Sequence, residues 1–155
     1  MELAVRDALP GDRDFVRATA RRLADFGPPS WRTVEEVVAG ETRAPDAWFE
    51  QAPEGTALLV AEDAAGTRLG FAYVETLTDF FSRRPHGHVA ELAVTREAEG
   101  RGAASALLSA SELWARGRGY ELLTLNVFDG NRHARAVYES RGFRPEYVRY
   151  VKTLG

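Results

Sequence analysis

The chain contains no cysteine, one methionine and three histidines. The absence of cysteine excludes disulfide frameworks, thiolate zinc sites and cysteine nucleophiles. A metal site built from histidines is also disfavoured, because such sites need several ligands brought close together. We therefore predict a protein that holds no metal and is stabilised by its hydrophobic core.

Long apolar runs and an excess of one charge are also missing. The longest uninterrupted apolar run, Ala57 to Ala61, is far shorter than the ~20 residues that span a bilayer. The 20 basic and 23 acidic residues leave a net charge of −3 and form no block of one sign. Membrane insertion and nucleic-acid binding are therefore both disfavoured. The amino-terminal residues form no apolar signal segment, so we expect a cytoplasmic protein.

The composition is that of an ordinary globular domain. The 155 residues are 45% hydrophobic and 28% charged, and they contain no repeat or linker. At ~150 residues per domain, this length predicts one domain over residues 1–155.

Apolar periodicity predicts two helices and several strands in the first half of the chain. The first helix opens at Pro10 or Asp12 and ends before the Gly27–Ser30 segment, and a second short helix covers Trp31 to Gly40. The region from Pro45 to Pro53 is expected to be irregular. The predicted strands of this half are Leu3–Ala8, Thr56–Glu62 and Leu69–Leu77.

The second half predicts strands that alternate with helices. The expected elements are the strands His88–Val94 and Glu121–Phe128, the helices Gly102–Arg116 and Asn131–Arg141, and one or two final strands in Pro145–Leu154. The order is βααβββαβαβ(β). A strand–helix–strand unit requires a right-handed crossover between parallel strands. The fold class is therefore α/β with a mixed sheet.

A turn rich in small residues connects the predicted strand ending at Val94 to the next helix. Gly100, Gly102, Ala103 and Ala104 leave backbone amides uncovered at a helix N-terminus, where the helix dipole favours a phosphate. The same small residues could instead serve only to pack the helix closely on the sheet. The turn lacks the Gly-Lys-Ser/Thr of a P-loop and the spacing of a dinucleotide-binding fingerprint.

A second segment, near the end of the chain, distinguishes these possibilities. Taken with the glycine-containing turn, it resembles the GCN5-related N-acetyltransferases, the GNAT superfamily, over essentially the whole chain. The turn matches the family pattern of Gln or Arg, two residues, Gly, one residue, then Gly or Ala at Glu99, Gly102 and Ala104. The second segment matches the family signature at Val127, Asn131, Ala134, Tyr138, Glu139, Gly142 and Phe143.

The turn departs from the family at Glu99, where Gln or Arg is usual. A carboxylate ~4 Å from a phosphate oxygen would cost on the order of 4 kcal/mol. We therefore expect the Glu99 side chain to turn outward and leave its backbone amide available. Arg101 or Arg96 could supply compensating positive charge.

The resemblance implies that acetyl-CoA binds in a cleft between two splayed parallel strands, His88–Val94 and Glu121–Phe128. The pantetheine arm would run along the first strand, and the diphosphate would meet the glycine-containing turn. Asn131 would reach the pantetheine or cap its own helix, and Asn131 and Tyr138 lie on nearly one helix face. The implied cofactor-binding residues are Leu92, Ala93, Val94, Glu99, Gly100, Arg101, Gly102, Ala103, Ala104, Ser105, Asn126, Asn131, Ala134 and Tyr138.

The resemblance also assigns an acid, since the family's tyrosine at the position of Tyr138 protonates the departing CoA thiolate. The acceptor amine must lose a proton before it attacks, so a general base is expected. Glu91 is the first candidate and His88 the second, and a water molecule could relay the proton. A solvated charge on the strand face is the alternative for Glu91 and for His88.

The predicted function is transfer of the acetyl group of acetyl-CoA to a primary amine of a small molecule or peptide, directly in a ternary complex. The alternatives are transfer of another acyl group, transfer to an oxygen acceptor, a non-catalytic acyl-CoA sensor, and an adaptor without a cofactor. Aromatic residues of Phe26–Trp31 and Thr78–His88 are expected to wall the acceptor pocket. The resemblance also makes a homodimer plausible.

Overall fold

A computed structural model describes residues 2–155 of the chain. Five strands and four α-helices are present in this part, and short 3₁₀ turns connect several of them. The strands are β1 (Leu3–Asp7), β2 (Ala57–Asp63), β3 (Arg68–Thr78), β4 (Pro85–Val94) and β5 (Leu123–Leu125). The helices are α1 (Arg13–Ala20), α2 (Val34–Trp48), α3 (Ala103–Gly117) and α4 (Arg132–Ser140).

The strands form one mixed sheet in the order β1-β2-β3-β4-β5. Neighbouring strands are antiparallel except β4 and β5, which are parallel and connected through α3. This arrangement confirms the predicted α/β class with a mixed sheet and a late strand–helix–strand unit.

The parallel pair separates after a short contact. β4 pairs with β5 only from Gly87 to Val89, whereas β4 itself continues to Val94. Residues 90–94 therefore have no strand partner on this side among the described residues. The sheet opens here into a gap between β4 and β5, as the predicted splay requires.

A β-bulge in β4 determines which side chains face the same side of the sheet near this gap. Tyr73 pairs with Glu91 and Val74 with Val89, so Ala90 is the extra residue. Because one inserted residue shifts the two-residue alternation, Glu91 points to the same side as His88.

The core occupies both faces of the sheet. One cluster packs α1 against the middle of the sheet and includes Val16, Leu58 and Phe71. The other packs the start of α3 on the opposite face and includes Leu69, Ala103 and Leu107. Glu91 and Tyr73 belong to the face that α1 and α2 cover, because they continue the alternation of Ala93 and Phe71.

Helix α2 differs from the prediction of a short helix over Trp31–Gly40 and an irregular segment after Pro45. It starts at Val34, where Thr33 caps it through a hydrogen bond from the amide of Glu36, and it continues through Pro45 to Trp48. Proline cannot donate to the carbonyl four residues earlier and normally breaks a helix. Here Pro45 is buried, and the helix around it packs on the first core cluster.

The last two strands predicted from the sequence also differ from the observed structure. The structure assigns β5 to Leu123–Leu125 rather than Glu121–Phe128, because the chain leaves the sheet where β4 and β5 diverge. Residues 143–155 carry no assigned strand, so the prediction for Pro145–Leu154 is wrong. Their alternating apolar pattern is typical of a strand, but a strand also needs a neighbour for its backbone hydrogen bonds.

Candidate active site

The glycine turn, defined here as residues 99–105, connects a 3₁₀ turn after β4 to the N-terminus of α3. Gly100 and Gly102 have φ angles of 75° and 86°, a region that side-chain-bearing residues rarely occupy. Gly102 is the N-cap of α3 and offers no side chain to its amides. Within the described part of the chain, the amides of residues 102–105 have no hydrogen-bond acceptor. The turn therefore presents several free donors at a positive helix end, which suits a diphosphate.

Glu99 lies beside this turn and forms an ion pair with Arg22. The same guanidinium donates to the carbonyl oxygen of Val94 at 3.2 Å and to Asp25 at 2.5 Å. The carboxylate is thus neutralised by a cation from the 3₁₀ turn after α1. The amide of Glu99 donates to the carbonyl of Arg96 at 3.3 Å, so a phosphate would compete for it.

The two arginines expected to add positive charge at the turn both contact carboxylates. Arg101 lies 3.5 Å from Asp63, and Arg96 lies 3.3 Å from Asp25. Arg96 is largely exposed and its ion pair is long, so its charge remains available to an anion bound at the turn.

The predicted pantetheine-binding residues line the gap between β4 and β5. Ala93 is buried against the first core cluster, while Leu92 and Val94 pack on the second. Because Thr95 donates to Leu69 of β3, the alternation of the ladder turns the main-chain groups of Leu92 and Val94 to the open side of β4, as they would be toward an added strand, and those of Ala93 to β3. At the end of the gap, Phe26 stacks on Phe128 with ring centroids 4.9 Å apart.

Helix α4 follows β5 in the chain and contacts α3, where Arg141 donates to the Ser109 hydroxyl at 2.5 Å. Asn131 caps this helix, since its Oδ1 accepts a hydrogen bond from the amide of Ala134 at 3.2 Å. The structure thus shows the capping alternative and leaves the side-chain amide nitrogen of Asn131 without a partner among residues 2–155. Asn126 is exposed just after β5.

Tyr138 lies on α4, seven residues after Asn131, and is half-buried. Its ring packs edge-on against Phe143 with centroids 6.0 Å apart. Burial raises the pKa of the phenol above 10.0, and the negative charge of Glu41 raises it further. The hydroxyl has no hydrogen-bond partner within the described region, so it is a protonated donor near neutral pH.

Glu91 is buried, with 7% of its surface exposed, and its Oε2 atom has no hydrogen-bond partner in the part of the chain described. Burial raises the pKa of this carboxyl to about 8, and the charges of Glu41 and Glu75 contribute. The alternative of a solvated charge on the strand face is therefore excluded for Glu91.

His88, the second candidate base, is also buried. Burial lowers its pKa, and the positive charge of His86 lowers it further. Thr124 of β5 contacts both rings, since its Oγ1 lies 2.8 Å from Nδ1 of His88 and 3.0 Å from Nε2 of His86. His88 is therefore a neutral ring held by β5.

Two residues that the sequence analysis did not single out lie at this site. Glu41 on α2 and Glu75 on β3 both have a pKa raised by burial. The alternation of β3 places Glu75 on the face of Tyr73, which a careful reading of that strand could have shown. Glu41 had no comparable signal, because its position depends on the packing of a helix that the sequence analysis ended one residue earlier.

The loops expected to wall the acceptor pocket are mostly open to solvent. Trp31, Phe80 and Phe81 are exposed. Arg84 forms an ion pair at 3.1 Å with Glu121, two residues before β5, so its positive charge is paired with a carboxylate at the surface. Phe26 contacts the end of the gap instead, through its stacking on Phe128.

Residues 2–155 contain no cluster of three or more His, Asp or Glu side chains placed to hold a metal ion, and no helix with the length and apolarity that crossing a membrane requires.

The fold and this site together define an α/β domain of the acetyltransferase class. Residues 22–143 match the model of the Acetyltransferase (GNAT) family, and the chain belongs to that family. The resemblance stated from the sequence is confirmed.

Among curated proteins, the chain is similar to the mycothiol acetyltransferase of Propionibacterium freudenreichii subsp. shermanii. The two are 40% identical over 96 residues, which are 62% of this chain but only 29% of that protein. The chain thus spans less than a third of that relative's length.

Solved structures share the fold over nearly the whole chain. A Pyrococcus furiosus protein has a TM-score of 0.78 at 22% identity and covers 99% of this chain and 100% of its own. A ribosomal-protein-alanine N-acetyltransferase from Brucella melitensis biovar Abortus 2308 has a TM-score of 0.71 at 18% identity, and the match covers 99% of this chain and 100% of that one. The structure of AAC(6′)-Iy with a CoA-containing bisubstrate analogue has a TM-score of 0.72 at 18% identity and covers both chains fully.

Proposed function

We propose that this chain is an N-acetyltransferase that transfers the acetyl group of acetyl-CoA to a primary amine of a small molecule or peptide. The observations that carry the proposal are two titratable groups, one on β4 beside the gap and one on α4. Glu91 supplies a buried carboxyl without a partner, and Tyr138 supplies a protonated phenol. We assign residues 1–155 to one such domain.

The residues present fit acetyl-CoA. The free amides of residues 102–105 would hold the diphosphate, and the unpaired edge of β4 from Leu92 to Val94 would bind the pantetheine amides. The small side chain of Ala134 would leave room for the cofactor beside α4, and the side-chain amide nitrogen of Asn131 is free to donate to it. Bound acetyl-CoA supplies an acetyl thioester, which a neutral amine attacks.

Glu91 acts as the general base. An alkylamine with a pKa of ~10.4 is protonated near neutral pH, and removing its proton costs ~4–5 kcal/mol. A buried carboxyl whose pKa is about 8 is closer to that of the amine than an ordinary glutamate, so it accepts the proton at a smaller free-energy cost. His88 remains the second candidate, and a water molecule between amine and Glu91 is compatible with the role.

Tyr138 acts as the general acid. As the carbon–nitrogen bond forms and the carbon–sulfur bond breaks, the sulfur gains an electron pair and takes the phenol proton. The proton lost by the amine goes to Glu91 and then to solvent, and Tyr138 is reprotonated from solvent. Both transfers occur in one ternary complex, without an acetylated side chain.

Replacing Glu99 tests the electrostatics of the glycine turn. We expect Glu99→Gln to lower the Kd for acetyl-CoA several-fold, because the change removes a negative charge beside the diphosphate and frees the Arg22 guanidinium to bind it. Isothermal titration calorimetry measures this directly. Glu97→Gln, two residues before Glu99 and exposed, removes the same charge without touching the Arg22 ion pair and is the matched control. Unchanged or weaker binding by Glu99→Gln would contradict the arrangement.

The rival function is an acyl-CoA sensor that binds the cofactor without turnover. Titration with acetyl-CoA and with CoA tests cofactor binding, and release of free thiol over a panel of amines tests transfer. Thiol release that depends on the amine supports the enzyme, whereas tight binding with no release over the whole panel supports the sensor. A panel of acyl-CoAs separates acetyl transfer from transfer of another acyl group.

We also propose that the chain forms a homodimer through its carboxyl-terminal segment. Tyr147, Tyr150 and Leu154 are 75%, 90% and 87% exposed, and the outer edge of β5 is unpaired among the described residues. A segment of this alternating pattern from a second copy could pair with that edge.

Light scattering tests the dimer. We expect a mass of about twice 17.1 kDa for the wild type, and a monomer for the double variant Tyr147→Ser, Tyr150→Ser. Because both side chains are exposed in the single chain, their replacement should leave its fold intact. A monomeric wild type at micromolar concentration would contradict the proposal.

A further inference from the structure

Residues 22–26 bridge the two sides of the gap between β4 and β5, and we call them the strap. On the β4 side, Arg22 donates through Nε to the carbonyl oxygen of Val94 at 3.2 Å. On the other side, Phe26 stacks on Phe128, which follows β5, with ring centroids 4.9 Å apart. The strap therefore crosses the end of the gap that lies nearest to the glycine turn.

The guanidinium of Arg22 directs each of its three nitrogen atoms to a different partner. Nε donates to Val94, Nη1 donates to Asp25 at 2.5 Å, and Nη2 pairs with Glu99. The side chain of Arg22 is 22% exposed, whereas that of Glu99 is 55% exposed. The 3₁₀ turn that carries Arg22 is anchored, because Leu23 packs on the first core cluster. Glu99 can therefore leave this contact more easily than Arg22 can.

Arg22 lies where the proposed cofactor path changes from main-chain pairing to phosphate binding. Val94 is the last residue of β4, and its carbonyl oxygen on the open side of the strand is already occupied by Nε. A chain that pairs with this edge would lose an acceptor there, so its pairing with β4 would end at Val94. Nη2 lies beside Glu99, at the start of the turn whose amides are free at residues 102–105.

The charges around Arg22 balance one another. Arg22 and Arg96 face Asp25 and Glu99, and Arg96 lies 3.3 Å from Asp25. A diphosphate brings negative charge to this place without a cation of its own, so it competes with Glu99 for Arg22. Both anions accept charge-assisted hydrogen bonds from a guanidinium. The free amides of the glycine turn favour the diphosphate in this competition, because they bind an anion that Glu99 does not supply.

We propose that Arg22 exchanges Glu99 for the diphosphate of acetyl-CoA, which makes the strap part of the cofactor site. Nη2 changes its partner, while Nε keeps Val94 and Nη1 keeps Asp25. No covalent bond changes. The inference rests on the proposed acetyl transfer and adds a cofactor-binding residue that determines specificity for an acyl donor with a diphosphate.

Three probes with the same pantetheine arm test the exchange. CoA carries a diphosphate and a 3′-phosphate, 3′-dephospho-CoA carries only the diphosphate, and pantetheine carries neither. Protein-observed NMR titration measures the Kd of each probe, including weak ones, and needs no turnover. We expect Arg22→Gln to raise the Kd several-fold for CoA and 3′-dephospho-CoA and to leave that for pantetheine unchanged. Arg21→Gln removes the same charge from the exposed neighbouring residue and should leave all three Kd values unchanged.

The Glu99→Gln background separates phosphate binding from simple neutralisation of Glu99. An arginine that only neutralised Glu99 would have no effect on binding once Glu99 is replaced. We expect Arg22→Gln in this background to raise the Kd for 3′-dephospho-CoA about 10-fold, because a hydrogen bond to a charged group is lost. This factor should exceed the one in the wild type, since Glu99 no longer competes for the guanidinium.

The outcomes separate this inference from the proposed function. The inference is overturned, with acetyl transfer intact, by an unchanged or lower Kd for 3′-dephospho-CoA in the Glu99→Gln background, by an equal loss for pantetheine, or by an effect confined to CoA. CoA binding that depends on Arg22, without thiol release from any amine of the panel, overturns acetyl transfer and supports the exchange. A wild type that does not bind CoA overturns both.

Discussion

Glu91→Gln should lower kcat and at the same time stabilise the protein at alkaline pH. The variant loses the general base, so kcat for acetyl transfer is expected to fall about 10²–10⁴-fold. The amide has nearly the same shape and cannot ionise in its buried position, so the folded state no longer has to hold a charge there.

The sign of the stability change follows from the raised pKa. Folding raises the pKa of Glu91 from 4.5 to about 8, so the folded state binds more protons between these values. The free energy of unfolding of the wild type therefore falls as pH rises through this window. The contribution is fully present below 4.5 and lost above about 8. The groups that set the shift are the burying residues around Glu91 together with Glu41 and Glu75.

Thermal unfolding at about pH 5 and about pH 9 measures this effect. We expect similar Tm values for wild type and Glu91→Gln at the lower pH, and a variant more stable by on the order of 4 kcal/mol at the higher one, or about 8–16 °C. The exposed Glu97→Gln should match the wild type at both. A variant that is less stable at high pH, or that retains wild-type kcat, would show that Glu91 is an ordinary core residue.

Tyr138→Phe should abolish most turnover without affecting cofactor binding. The substitution removes only the hydroxyl, and the ring keeps its edge-on contact with Phe143. We expect kcat to fall on the order of 10²-fold or more, because the sulfur must leave without a proton donor. The Kd for acetyl-CoA should stay within about twofold, since the proposed cofactor contacts are mainly backbone groups.

The dependence of activity on pH distinguishes loss of the acid from a general loss of activity in Tyr138→Phe. Burial and the charge of Glu41 raise the pKa of Tyr138 above 10.0, so loss of wild-type activity through phenol ionisation is expected only above that value. The residual activity of Tyr138→Phe should not show this loss at alkaline pH, because the variant has no phenol to ionise. Tyr150→Phe removes the same hydroxyl from a residue that is 90% exposed and should behave as wild type. An unaltered kcat in Tyr138→Phe would disprove the acid assignment.

Local sequence patterns predicted most of the elements and the site's two motifs. The glycines of the turn were recognisable because positive φ angles favour glycine, and the structure places Gly100 and Gly102 in that region. Asn131 and Tyr138 were identified by the resemblance to the family signature, and their spacing placed them on one helix face. The α/β order followed from apolar periodicity, which depends on neighbours along the chain.

The errors arose where packing overrode local preference. Pro45 predicted the end of a helix, yet α2 continues through it, because its buried face contributes more than the missing hydrogen bond costs. The final segment has a strand-like pattern, but no neighbouring strand accepts it among the described residues.

The sequence by itself determined the family, the mixed sheet, the glycine turn and the tyrosine of α4, because each depends on residues a few positions apart. Only the tertiary structure decided the electrostatics of the site. The bulge at Ala90, the ion pair of Arg22 with Glu99 and the effect of the Glu41 and Glu75 charges on Glu91 involve residues that are distant along the chain. Charge and burial act through space, so a pKa of about 8 at Glu91 follows from the folded arrangement and not from its neighbours in sequence.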